Sequence, residues 1–185
     1  MVSTITAGIG TCDVWIRGVN LVMHRWNWYR GTPPRKEENA FHSSQYISTD
    51  GWCGIPVGEF NRALQRAAGT RRCSAKFGLC VTADGMDWRD ELPIVRLVGG
   101  TPQKLAVLYR RSCGHERFTC VRPFWAEWGA RLRIMYVEDC FSELGIVALV
   151  MKAGRKGVFG TGKFDVIREE QEIGNMKQQL ERITA

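Results

Sequence analysis

The sequence predicts an α+β fold: a mainly antiparallel β-sheet with a short internal helix packed on it and an amphipathic helix at the C-terminus. Three observations predict it. Segments that alternate like strands outnumber helical ones, and FWAEWGARLRIMYVED (124–139) is the clearest. One parity of that stretch, from Phe124 and Ala126 through Trp128, Ala130, Leu132 and Ile134 to Tyr136, is wholly apolar. The other holds Trp125, Glu127, Gly129, Arg131, Arg133, Met135 and Val137, which describes a strand with one side in a core. EFNRALQRAAG (59–69) repeats Phe60, Ala63, Leu64 and Ala67 at helical spacing and ends on a glycine. REEQEIGNMKQQLERI (168–183) lines up Ile173, Met176, Leu180 and Ile183, with acid at its start and Arg182 near its end.

The remaining elements follow in chain order. Residues 12–23, CDVWIRGVNLVM, read as a strand with a glycine break. HRWNWY (24–29) is aromatic-rich, and RGTPPRKEEN (30–39) is an exposed loop built on proline, glycine and charge. Turn signals at Asp50-Gly51 and Gly54-Ile55-Pro56 precede the helix. AKFGLCVT (75–82) reads as a strand and ADGMDWRDE (83–91) as a polar turn region. PIVRLVGGTPQKLAVLYRR (93–111) reads as two strands around a Gly99-Gly100-Thr101-Pro102 turn, followed by a loop, SCGHERFTC (112–120). GIVALVM (145–151) is a continuous apolar run, taken as a buried strand, and VFGTGKFDVI (158–167) as its glycine-interrupted return.

At 185 residues and 44% hydrophobic composition, the chain suits a single domain, 1–185, with its own core. Its first ten residues are small and uncharged, and no apolar run approaches the ~20 residues of a membrane span. The expectation is a soluble intracellular protein whose seven dispersed cysteines stay reduced. The net charge of +7 is concentrated. Residues 60–133 carry fourteen basic and six acidic groups, while the flanking segments are near neutral. A basic surface region facing phosphates is therefore expected: nucleic acid, anionic lipid or an acidic protein. Its candidate residues are Arg62, Arg66, Arg71, Arg72, Arg110, Arg111, Arg131 and Arg133, whose guanidinium forks fit phosphate oxygens. Trp88 and Trp125 are candidate partners for bases or a lipid interface.

Catalytic and cofactor patterns are weak. GVFGTGKF (157–164) matches a phosphate loop up to its lysine, but Phe164 stands where magnesium needs a hydroxyl. Cys113, His115 and Cys120 lack the paired spacing and fourth ligand of structural zinc. Cys113 and His115 are the right types for a nucleophile and base, with no third group to orient them. The expectation is a non-enzyme without metal or cofactor.

The order of segments resembles the matrix proteins of rhabdoviruses. Three stretches carry the likeness. DELPIVRLVGGTPQKLAVLYRRS (90–112) looks like that family's strand, glycine turn and strand. Arg122-Pro123-Phe124 and the strand ending Tyr136-Val137-Glu138-Asp139 are similar to its Arg-Pro-Phe and acidic turn. IVALVMKAGRKGVFGTGKF (146–164) looks like its closing hairpin. Animal members begin with a lysine-rich arm and a proline-rich budding motif; here the first ten residues carry no charge and Pro33-Pro34 is followed by Arg35 in place of that motif, and the size and missing arm suit a plant-infecting member better. The resemblance implies a virion protein between nucleocapsid and envelope that self-associates and condenses the nucleocapsid. It implies nucleocapsid and anionic membrane as partners, met by the eight arginines, and docking between subunits through Thr32, Pro33, Pro34 and Arg35. The alternative from charge and aromatics is a small viral RNA-binding protein, such as a suppressor of RNA silencing.

Overall fold

The computed structural model describes residues 8–25, 41–110 and 117–182. The fold is α+β with antiparallel sheets. The main sheet has the order β4-β8-β1-β9, with strands Leu79–Val81, Arg117–Val137, Ile9–Val22 and Lys163–Val166. Every neighbouring pair is antiparallel. Helix α1 (Val57–Ala68), a short turn of 3-10 helix (Gly69–Arg71) and α2 (Arg72–Gly78) lie between β1 and β4 in the chain, after two strands of a second sheet. Helix α3 (Glu143–Lys156) connects β8 to β9. Two β-α-β units thus interleave, which is the split β-α-β arrangement.

The core explains this order. Val14 and Ile16 of β1, Trp128 to Tyr136 at alternate positions of β8, and Phe164 of β9 face one way. Phe60, Ala63, Leu64 and Ala67 of α1 and Ile146, Val150 and Ala153 of α3 cover them. The inward parity of β8 from Trp128 to Tyr136 is the one the alternation predicts, but it does not extend to Phe124 and Ala126. There Trp125 is buried and Ala126 exposed. The partner strand shows why. Asn20 of β1 has φ 55°, and pairing skips it, passing from Val19 opposite Glu127 to Leu21 opposite Trp125. Beyond Asn20 the pleat turns over, so Leu21 and Met23 point inward in place of the even positions. The break in β1 is therefore at Asn20, not at the expected Gly18.

A second sheet, β2-β3-β6-β5, comprises Tyr46–Ile47, Cys53–Pro56, Pro93–Arg96 and Gly85–Met86. It joins the main sheet through paired hydrogen bonds between Val98 and Gly129, at 2.8 and 2.7 Å. Strand β7 (Gln103–Arg110) pairs only with the first part of β8, from Arg110 opposite Arg117 to Gln103 opposite Phe124. These two make a ribbon that precedes the part of β8 inside the main sheet. Residues 93–110 thus hold two strands, as expected, but not one hairpin: β6 and β7 belong to different sheets, and β7 pairs with β8. Residues 75–78 belong to α2 rather than to a strand.

The expected buried strand at 145–151 is helical. Ser142 caps α3 by accepting from the Gly145 N–H at 3.2 Å, Glu143 begins it, and Arg155 and Lys156 end it. Ile146, Val150 and Ala153 then share one buried face. The closing hairpin implied by the resemblance is accordingly a helix, a tight turn and a strand. That turn is closed by two 3.0 Å hydrogen bonds between Val158 and Gly162, so the phosphate-loop-like glycines serve a chain reversal. Helix α4 (Glu170–Arg182) lies on the other face of the main sheet. Ile173, Met176 and Leu180 pack on Trp15, Val98 and Ile167, and Gly129 leaves room for Met176. Ile183 lies outside the described residues.

Candidate nucleic-acid interface

The eight expected arginines do not form one face. Arg62 and Arg66 sit on α1, on the helical side of the main sheet. Arg131 and Arg133 point to the opposite side, parity with Gly129 and away from the buried Ala130, Leu132 and Ile134. The sheet itself separates the two pairs. Four of the five whose side chains are described are also engaged. Arg62 pairs with Glu59, Arg66 reaches the Gly157 carbonyl at 3.4 Å, Arg131 lies 3.6 Å from Asp84, and Arg133 is 3.2 Å from Asp13. On β1, Arg17 is bound to Glu172 of α4 at 2.7 Å. The wet face of the β1–β8 pair is therefore a lattice of opposite charges rather than an open basic field. Arg72 is exposed on α2. The side chains of Arg71 and Arg110, all of Arg111, and Thr32, Pro33, Pro34 and Arg35 lie outside the described set, as do Cys113 and His115.

A different constellation lies on the second sheet and the root of the ribbon. Cations stack on aromatic rings there, within the ~6 Å at which the ring quadrupole attracts them. Arg25 lies 4.7 Å from the Tyr46 ring, Arg89 4.8 Å from Trp88, Arg96 5.3 Å from Trp52, and Lys104 5.9 Å from Phe41. A further pair, Lys76 on Phe77, belongs to α2. The Arg89–Trp88 and Lys104–Phe41 pairs are linked. Arg89 donates to the His42 carbonyl at 3.4 Å, next to Phe41, which Lys104 of β7 covers. Trp88 is 55% exposed, so one large ring is open to a ligand. Sequence reasoning named Trp88 but missed Arg89, Arg96 and Lys104, because isolated cations give no charge run. The Trp-Arg adjacency at 88–89 was the available signal.

The pairs differ in what they offer. Arg25 is committed: Asp87, fully buried, and Asp90 both bind it. Burial opposes its charge, yet the hydrogen bonds it donates to Asp87 and Asp90 win and hold its pKa above the ordinary value. Tyr46 beneath it is pushed up to about 12, chiefly by burial, so it stays a neutral phenol. Its hydroxyl donates to the His24 carbonyl at 3.3 Å. Arg122, on β8, binds the Ser44 hydroxyl. Burial, then the charge of Arg122, lowers the His24 pKa below 6.5. The thiols of Cys12 and Cys53 are pushed up, first by burial, and so resist becoming thiolates.

The His24 shift has a stability consequence. The unfolded chain takes up a proton on this imidazole at a higher pH than the folded one. Its contribution is thus present above the ordinary His pKa near 6.5 and is lost as pH falls from there toward the lowered value. Urea midpoints at about pH 7.5 and about pH 5.5 should show lower stability at the acid end. His24→Gln should shrink that difference; an unchanged difference would assign the acid sensitivity to other groups.

The fold and this strip define a class: a split β-α-β domain carrying a second sheet and a ribbon lined with cation-aromatic pairs. No protein-family model matches the chain, and no curated protein matches it. Among solved structures the chain is similar to a CRISPR-associated protein, with 11% identity and a TM-score of 0.41 over 92% of this chain and 73% of that one. A likeness this distant carries no functional argument.

Proposed function

We propose that this chain binds single-stranded nucleic acid, RNA in the first place, along the second sheet and the root of the β7–β8 ribbon. The observation that carries the reading is the set of cation-aromatic pairs on the second sheet and the ribbon root, with Trp88 open to solvent. Bases stack on aromatic faces while neighbouring cations take the phosphates, a combination suited to unpaired strands. The ribbon's sequence adds Arg110 and Arg117, consistent with the chain's positive excess in residues 60–133.

Fluorescence anisotropy with labelled single-stranded RNA, over a range of salt, tests this. Trp88→Ala should weaken binding by about 1–3 kcal/mol at every salt concentration. Arg89→Ala should weaken it and reduce the salt slope by ~0.7, one phosphate contact. The matrix reading makes the opposite forecast: salt-sensitive flotation with anionic vesicles that added RNA does not compete away. Flotation of that kind, with no RNA binding at low salt, would overturn the proposal.

A further inference from the structure

Between β6 and β7 the residues 99–101 form a glycine turn beside a cleft of about 510 Å³. The volume falls within the ~300–1,000 Å³ of ligand pockets. Trp52, Arg96, Pro102 and Trp125 contribute to its walls. We propose that this is a nucleotide subsite. The N–H groups of the turn take one phosphate, and the cleft, with Arg96 in its wall, takes the nucleoside attached to it. The inference rests on the nucleic-acid reading and names the chemical group that one part of the strip recognises.

Three features support it. Gly99 and Gly100 have φ of 77° and 69°, a backbone shape other residues rarely take, and both are exposed. Among the described residues, no hydrogen bond uses the N–H of Gly99, Gly100 or Thr101. Consecutive backbone N–H groups in such a turn make a concavity that accepts anions. The turn is also supported from behind. A Cβ on Gly100 would lie 2.6 Å from the Glu127 carbonyl oxygen, so the turn is seated directly on β8, whereas at Gly99 the nearest atom is the Gln179 amide oxygen at 3.7 Å. The turn is firm on one side and open on the other. Arg96, only 6% exposed, stands in the wall of the cleft and stacks on Trp52. The chain then runs straight into Lys104, which extends positive charge toward the ribbon.

Intrinsic tryptophan fluorescence of the whole chain, titrated with UMP, uridine and inorganic phosphate, reads the subsite directly, because Trp52 and Trp125 line it. UMP should quench saturably and uridine should not in the same range, with phosphate competing weakly. Thr101 is exposed, so Thr101→Glu places a carboxylate at the anion position without disturbing the core. It should raise the UMP midpoint about tenfold, the worth of one charge-assisted contact, while Thr101→Gln stays within about twofold. Both variants are checked by thermal melting, and the comparison of UMP with uridine on the unaltered chain needs neither. Equal responses to UMP and uridine, or equal behaviour of Thr101→Glu and Thr101→Gln, would remove the subsite. RNA binding that Thr101→Glu leaves intact would remove it while leaving the proposed function standing. UMP binding that Thr101→Glu weakens, with no RNA binding at any salt, would keep the subsite and remove the nucleic-acid reading.

Discussion

Replacing Asp87 with alanine should cost about 3–5 kcal/mol of folding stability, the loss expected when one partner of a buried ion pair is removed. Its carboxylate is fully buried. It binds Arg25 through both oxygens and also accepts the N–H groups of Ile47 at 2.9 Å, Arg89 at 3.2 Å and Asp90 at 3.0 Å. One side chain thus ties the residues after β1, strand β2 and the turn after β5. Alanine leaves Arg25, itself 10% exposed, with Asp90 as its one charged partner beside the Gln45 carbonyl and the Tyr46 ring, and strands three backbone donors. Asp90 is a suitable control, since its side chain is 51% exposed. Asp90→Ala should cost less than about 1 kcal/mol, the range of surface pairs. Urea denaturation measures both. Equal losses for the two variants would show that Asp87 does not organise this region. Trp88 and Arg89 sit on the same turn, so Asp87→Ala should also weaken RNA binding where the chain is still folded.

Much of the architecture was legible because local periodicity and tertiary burial agree. Helix α1 is the expected helix, with its four apolar positions all buried. The C-terminal helix uses Ile173, Met176 and Leu180 of the expected stripe. The alternation in 124–139 located the central strand and its inward side from Trp128 on. The failure at 145–151 has a physical reason. An apolar run of seven residues fits either a buried strand or a helix packed on a sheet, and periodicity alone does not separate them. The cap at Ser142 and the stop at Gly157 were visible in the sequence and favour the helix. The pleat reversal at Asn20 was not legible, since it needs two strands to turn over together.

The site was less legible than the fold. Charge density along the chain identified the basic middle third, but not which cations are neutralised. Arg131 and Arg133 were chosen because they share a strand face, and they do. Their acids, Asp84 and Asp13, come from elsewhere in the chain and appear only when the sheet is assembled. Conversely, Arg96 and Trp52 are more than forty residues apart and meet because β3 pairs with β6. Stacked pairs of that kind depend on sheet register, which single-sequence patterning sees only when turn and alternation both fix it.

The same substitution should have opposite signs in two helices, and the contrast tests how α3 is seated. Gly154 lies in α3 and Gly174 in α4. In an isolated helix either glycine-to-alanine change would stabilise by roughly 1 kcal/mol, through backbone entropy. At Gly174 nothing lies within 4 Å of the added Cβ, so that gain should be realised. At Gly154 the Cβ would fall well inside contact distance of the Phe164 carbonyl oxygen, a backbone atom of β9 that no rotamer change can move. The helix or the strand must shift, and overpacking of a tight core costs about 1–3 kcal/mol, occasionally more. Here the clash is with backbone, and Phe164 packs edge-on against Phe60 and Trp128, so the shift spreads into the core. Gly154→Ala should therefore lose a net ~1–2 kcal/mol, because the steric term, at the upper end of that range, exceeds the entropic one. It should also disturb the turn that follows α3, where Phe159 stacks on Tyr46 and its N–H donates to Glu59 at 3.2 Å. Thermal melts of the two variants decide the matter. Stabilisation by Gly154→Ala would mean that α3 stands farther from β9 than this packing requires, and the split β-α-β assignment of that half would need revision.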